Sequence, residues 1–156
     1  MKEFVFVILL FISISPHFEA PSEVDSNEFS MANFQPNTDD AYELVWSDEF
    51  RGSGKPDPNK WGYEIGYVRN FEAQYYTARE ENVWLERGKL VIEARKEKIA
   101  NEAFTSAEDK NWRKKKKSTK YTSGSVTTKG FAEWKYGKIE VRARLPKGVG
   151  AWSAIW

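Results

Sequence analysis

Chemistry in this chain has to be done without thiols and almost without imidazole. The 156 residues include no Cys and one His, His17. That excludes thiolate nucleophiles, Cys metal sites, Ser-His-Asp triads and His-ligated zinc for everything after residue 17. Carboxylates, hydroxyls, amides and aromatics remain. Two carboxylates on one strand face could move protons, since residues two apart on a strand point the same way. Glu93 and Glu140 instead have Arg95 and Arg142 two positions on, and Glu133 is isolated. Such carboxylate–arginine rows hold a carboxyl pKa low and suit structure rather than proton transfer. The aromatic supply is richer. Seven Trp and seven Tyr suit a large core, or a surface that stacks the flat apolar faces of a ligand.

The elements that must position these groups are strands. "KLVIEAR" (89–95) alternates Leu90, Ile92 and Ala94 against Val91, Glu93 and Arg95. "KIEVRARL" (138–145) alternates Ile139, Val141, Ala143 and Leu145 against Lys138, Glu140, Arg142 and Arg144. "YTSGSVTT" (121–128) is β-rich, with a Gly that marks a bulge or a close approach. "RGSGKPDPNKWG" (51–62) is a loop dense in Gly, Pro and Asp. Short strands between turn signals predict an antiparallel sandwich. One segment, 100–117, carries a helical period and is highly charged; its run Arg113–Lys117 reads as a solvated insertion loop. The formal net charge of +1 gives no reason to expect a nucleic-acid partner.

Residues 1–20 read as a signal peptide: Lys2, then an apolar run from Val5 to Ile12 too short to span a bilayer, then a cut site after Ala20. The chain is therefore expected to be secreted, free of the membrane once that signal is removed. Residues 21–41 read as a polar linker, and 42–156 as one domain.

Three segments within that domain resemble glycoside hydrolase family 16, the laminarinase, lichenase and agarase group. They are "NFEAQYYT" (70–77) with Arg79 and "ENVWLERGKLVIEARKE" (81–97), then "YTSGSVTTKGFAEWKYGKIEVRARLPKG" (121–148), then "GAWSAIW" (150–156). "WSDEF" (46–50) fits the family's opening. The resemblance implies an all-β fold, an antiparallel β-sandwich (jelly roll, concanavalin A-like) that is incomplete in this chain. It implies a hydrolase of β-glycans, with β-1,3- or mixed-linkage glucan as the polysaccharide substrate, acting as a monomer. A non-catalytic β-glucan-recognition protein of the same fold is the alternative.

In the family, "GxWPAIW" is followed by E-x-D-x-x-E, whose first Glu is the nucleophile and whose last Glu is the acid/base. Retaining enzymes hold two such carboxyls about 5–5.5 Å apart. That motif is expected beyond Trp156, so no catalytic residue is assigned here. The resemblance places Asn70, Glu72, Arg79, Trp152 and Trp156 against the sugar, with Trp156 reading equally as cleft or core. Ser153 stands where the family commonly has Pro, which changes local rigidity more than chemistry. No cofactor is expected. A structural calcium is possible in a complete domain, with Glu49 and the Gly88 carbonyl as two ligands, although calcium takes six to eight oxygens. A jelly roll interleaves strands from both halves of its sequence, so part of one exposes unpaired edges. Residues 21–156 expressed alone are expected to be insoluble or molten and to release no reducing sugar from glucan. A cooperative melt together with turnover would contradict this.

Overall fold

The computed structural model describes the backbone of residues 4–14, and residues 42–147 and 153–156 in full. The described chain is all-β, as the alternating patterns require. Nine strands appear: β1 (Phe4–Ile14), β2 (Glu43–Asp48), β3 (Gly62–Tyr63), β4 (Tyr75–Tyr76), β5 (Val83–Leu85), β6 (Leu90–Ala94), β7 (Thr122–Ser123), β8 (Val126–Thr127) and β9 (Lys138–Arg144). One five-stranded sheet contains β1, β2, β5, β6 and β9. Two short ribbons flank it, β3 with β8 antiparallel and β4 with β7 parallel.

Strand β1 organises the large sheet. Residues 10–14 pair with β2, residues 4–8 with β6, and residues 7–13 with β9, all antiparallel. Because residues 10–13 pair with both β2 and β9, those two strands lie on opposite edges of β1. The apolar stretch expected to form a signal core thus acts as a strand where it is present; Phe, Val and Ile runs serve either purpose.

The β5–β6 hairpin is closed by Arg87 and Gly88, at φ 51° and 70°. A two-residue turn with both φ positive matches the twist of its flanking strands, and Glu86 N–H donates to Lys89 O at 3.0 Å.

The core consists of Phe50, Trp61, Val83, Leu85 and Leu90, with Trp46, Ile92, Val126, Trp134 and Val141 against it. Asp48 of "WSDEF" ties this core to its strand. Its Oδ1 accepts from Phe50 N and its Oδ2 from Trp61 Nε1, each at 2.8 Å. Trp46 meets Trp61 and Trp134 edge-on at 5.6 and 5.4 Å, geometries that favour aromatic pairs beyond simple burial.

A second nucleus is polar. Asn82 is fully buried, and every part of its amide is used. Nδ2 donates to Glu93 O and Thr122 Oγ1, both at 3.0 Å. Oδ1 accepts from Thr77 Oγ1 at 2.6 Å and from Arg79 Nη2 at 3.1 Å. One side chain therefore joins the segment after β4 to β6 and to β7.

Two readings change. Segment 100–117 is not a helix; its only regular piece is a 3₁₀ turn at Trp112–Lys114. Asn side chains compete for backbone groups there: buried Asn101 donates through Nδ2 to Arg113 O at 2.8 Å and to Lys116 O at 2.9 Å. On β9, the regular alternation does not bury its apolar face. Ile139 and the adjoining Leu145 are exposed, and Val141 alone packs on the core.

Gly124 makes the close approach that its sequence context announced. A Cβ there would stand 2.0 Å from Val83 Cγ2 and 3.2 Å from Asn82 O. Gly124→Ala must push β5 off the sheet, and is expected to destabilise the fold by about 3 kcal/mol, read as a lowered denaturation midpoint. Unchanged stability would contradict this packing.

Candidate functional site

The loop between β3 and β4 carries the site's polar groups. Its anchor is Arg69, whose Nη2 donates to Glu64 Oε2. Ser125 Oγ donates to the same oxygen at 2.5 Å, so Glu64 clips the loop to the segment preceding β8. Burial alone would push the Glu64 carboxyl up; donation from Arg69 and Ser125 outweighs it and leaves the carboxyl below its usual value. The guanidinium then lies between two aromatic faces, with Arg69 Cζ 5.6 Å from the Tyr76 ring and 5.0 Å from the Trp156 ring. Stacking of this kind suits the planar, weakly hydrated guanidinium.

Around this anchor lie three of the residues expected from the sequence. Asn70 is exposed and left-handed at φ 55°, and Phe71 follows at φ 54°. Asn tolerates that region; a bulky Phe there is an outlier that surrounding contacts must hold, at a cost of order 1 kcal/mol or more. Glu72 is half-buried with its carboxylate facing the Tyr76 hydroxyl, although its Oε2 makes no hydrogen bond of good geometry among the described residues. Gln74 Nε2 donates to Tyr76 Oη at 2.9 Å. Burial pushes the Tyr76 hydroxyl pKa up, so it stays protonated. Trp156 is 87% exposed and presents its indole to solvent beside Arg69.

Arg79 stands apart from this group. Its Nη2 donates to Asn82 Oδ1 and to Glu97 Oε1, and Thr122 Oγ1 donates to the same Glu97 oxygen. Its contacts make it a part of the buried Asn82 network. Trp152 lies outside the described residues. Arg69, Glu64 and Tyr76 are the members that sequence reasoning passed over. The one signal for Arg69 was its place immediately before Asn70.

This arrangement offers binding chemistry: an exposed indole for an apolar ring face, and amides and a carboxylate for a hydroxylated rim. Proton-transfer chemistry would need paired carboxylates. Glu93 instead bonds Arg95 Nη1 at 3.0 Å, and Glu140 meets Lys138 Nζ at 3.0 Å. Among the described residues no group of three or more acidic side chains could hold a metal. Glu49 and Gly88, the two residues considered for calcium, are neighbours: a Cβ on Gly88 would lie 3.8 Å from Glu49 O.

No family model matches the chain. Among curated proteins, a beta-glucanase of Rhodothermus marinus is 48% identical over 118 residues, covering 74% of this chain and 35% of that protein. Glucan endo-1,3-beta-glucosidase A1 of Niallia circulans is 33% identical over 161 residues, covering 97% of this chain and 22% of that protein. A solved non-specific endo-β-1,3(4)-glucanase of family GH16 is 40% identical, with TM-score 0.47, covering 64% of this chain and 36% of that one. The chain thus spans about a third or less of the length of these relatives. By sequence the chain is similar to these β-glucan hydrolases, the likeness its motifs led one to expect.

Glu64 and Glu97 are both held below the usual carboxylate range; for Glu97, burial works upward and donation from Thr122 and Arg79 overrides it. Lowered folded-state values mean that their stabilisation is complete above the unfolded pKa of about 4.3, and is lost as pH falls through the folded values. The melting temperature is therefore expected to drop below about pH 4.3. Glu97→Gln, less stable at pH 7, should show a shallower drop. Parallel pH profiles for the two proteins would contradict the assignment.

Proposed function

We propose that this chain forms the sugar-contacting part of an endo-acting hydrolase of β-glycans, with β-1,3- or mixed-linkage glucan as its substrate. The observation that carries this reading is the cluster around Arg69: an exposed Trp156 indole against its guanidinium, with a left-handed Asn70 and a half-buried Glu72 on the loop that Glu64 clips. An exposed indole beside an amide and a carboxylate suits a ring with one apolar face and a hydroxylated rim. The relatives support the polysaccharide class, since two carry glucan hydrolysis in their names.

The chain's own residues bind and orient. Trp156 stacks a glucose ring, Glu72 accepts from a hydroxyl, and Asn70 bridges a neighbouring one. Arg69, already neutralised by Glu64, fixes the height of the indole. The retaining pair of carboxylates, 5–5.5 Å apart in enzymes of this mechanism, is supplied in this reading by a segment outside the described residues. The apolar run from Val5 to Ile12, read as a secretion signal, supports action on glucan outside the cell in this reading.

Release of reducing ends from laminarin and from mixed-linkage glucan tests the proposal in the intact natural protein. Trp156→Ala and Glu72→Ala are each expected to raise KM about tenfold, as loss of one stacking face or one charge-assisted hydrogen bond does. Glucan binding with no reducing-end release would favour a recognition protein. No binding at all would overturn the reading.

A further inference from the structure

The charged segment 100–117 looks dispensable in sequence, yet it is bound to the site loop. Arg113 reaches 45 positions back along the chain, and both Nε (2.9 Å) and Nη2 donate to Val68 O. Val68 directly precedes Arg69. Beside this, the Trp112 ring lies 4.9 Å from Phe71 and 5.8 Å from Tyr67. The Lys116 ammonium sits 5.4 Å over Tyr67. The site loop is therefore held on one side by Glu64 and on the other by this segment.

The segment can hold something because it is itself held. Asn101 is 4% exposed; its Nδ2 grips the carbonyls of Arg113 and Lys116, and its Oδ1 accepts from Ala103 N at 3.1 Å. Asn111 Oδ1 accepts from Arg113 N at 3.1 Å and caps the 3₁₀ turn. Backbone bonds from Asn101 N to Lys117 O and from Thr105 N to Lys114 O close the hairpin above it. What this clamp meets is Asn70–Phe71, two consecutive non-glycine residues with positive φ. Such a pair persists only where the surroundings over-determine it. Phe71 is 75% exposed, so burial does not fix it; the turn bond from Glu72 N to Arg69 O at 3.2 Å closes over it, and the Trp112 ring braces its side chain.

We propose that Trp112 and Arg113 are positioning residues, which hold Val68–Glu72 in the conformation that meets the sugar. This rests on the reading of that loop as glucan-contacting. Without Arg113 the Val68 carbonyl is free to turn. Without the Trp112 ring, Phe71 is left to the turn bond alone, and Asn70 and Glu72 lose their fixed position with it. The change acts on the sugar-contacting loop, so the loss is expected in binding rather than in turnover.

The test is steady-state hydrolysis of β-1,3-gluco-oligosaccharides by the intact natural protein, with melting temperatures measured alongside. Trp112→Ala and Arg113→Ala are expected to raise KM about tenfold, equivalent to ~1.4 kcal/mol, with kcat within about twofold of the parent. The conservative Trp112→Phe and Arg113→Lys should recover most of the loss. Lys115→Gln, an exposed neighbour that touches neither Val68 nor Phe71 in the contacts above, should leave KM unchanged. An unaltered KM in both alanine variants would overturn the proposal. So would a rise in KM that tracks a fall in melting temperature and is not rescued by Phe or Lys, which would mark a purely structural role. Glu72→Ala separates the two levels. If it leaves KM unchanged, the glucan-contact reading of the loop has failed; if it raises KM while Arg113→Ala does not, only the positioning role has failed.

Discussion

A single buried amide sets the terms for this structure. Asn82 has no exposure and four satisfied hydrogen bonds, and its partners come from three separate stretches of chain. A half-satisfied polar group in such a place would cost about 1–3 kcal/mol; a fully satisfied one fixes a unique arrangement. Gly124 then becomes obligatory, because β7 and β8 are drawn so near Val83 and the Asn82 carbonyl that no side chain fits. Thr122 belongs to the same network through both Asn82 and Glu97, which places the β4–β7 ribbon, and with it the root of the site loop.

The site inherits its order from that root. Tyr75 and Tyr76 are fixed by the ribbon: Tyr75 N donates to Tyr121 O and Thr77 N to Ser123 O. Tyr76 supplies the lower face on which Arg69 lies, and Arg69 supports Trp156. The chain of support therefore runs from a buried amide, through a two-residue ribbon, to an exposed indole. Glu64 and Arg113 hold the loop from its two sides. Arg79 and Glu97 serve the root, and Asn70, Glu72 and Trp156 are the residues proposed to meet the ligand.

Much of this was legible in the sequence where the signal was local. Alternation in 89–95 located β6, and alternation in 138–145 located β9. The glycine in "YTSGSVTT" marked a close approach. What failed to show was non-local. Glu64, Arg69 and Ser125 form one cluster across 61 positions, and nothing in the spacing of those residues announces it. Segment 100–117 misled for a related reason. Its period suggested a helix and its charges a solvated loop, whereas Asn101, a residue with no pattern of its own, ties the segment into a clamp. Asn70 and Glu72 were found through family motifs, and their own residue types would have passed for an ordinary turn.

The central claim is that the loop clipped by Arg69 is the surface that meets glucan. Hydrogen–deuterium exchange of the intact natural protein, with and without a β-1,3-gluco-oligosaccharide, tests it most directly. The account predicts slowed exchange confined to the amides of Val68–Tyr76 and of the residues around Trp156, with the β5–β6 hairpin unchanged. Saturating oligosaccharide that leaves those amides as they were, or protects the hairpin instead, would contradict it.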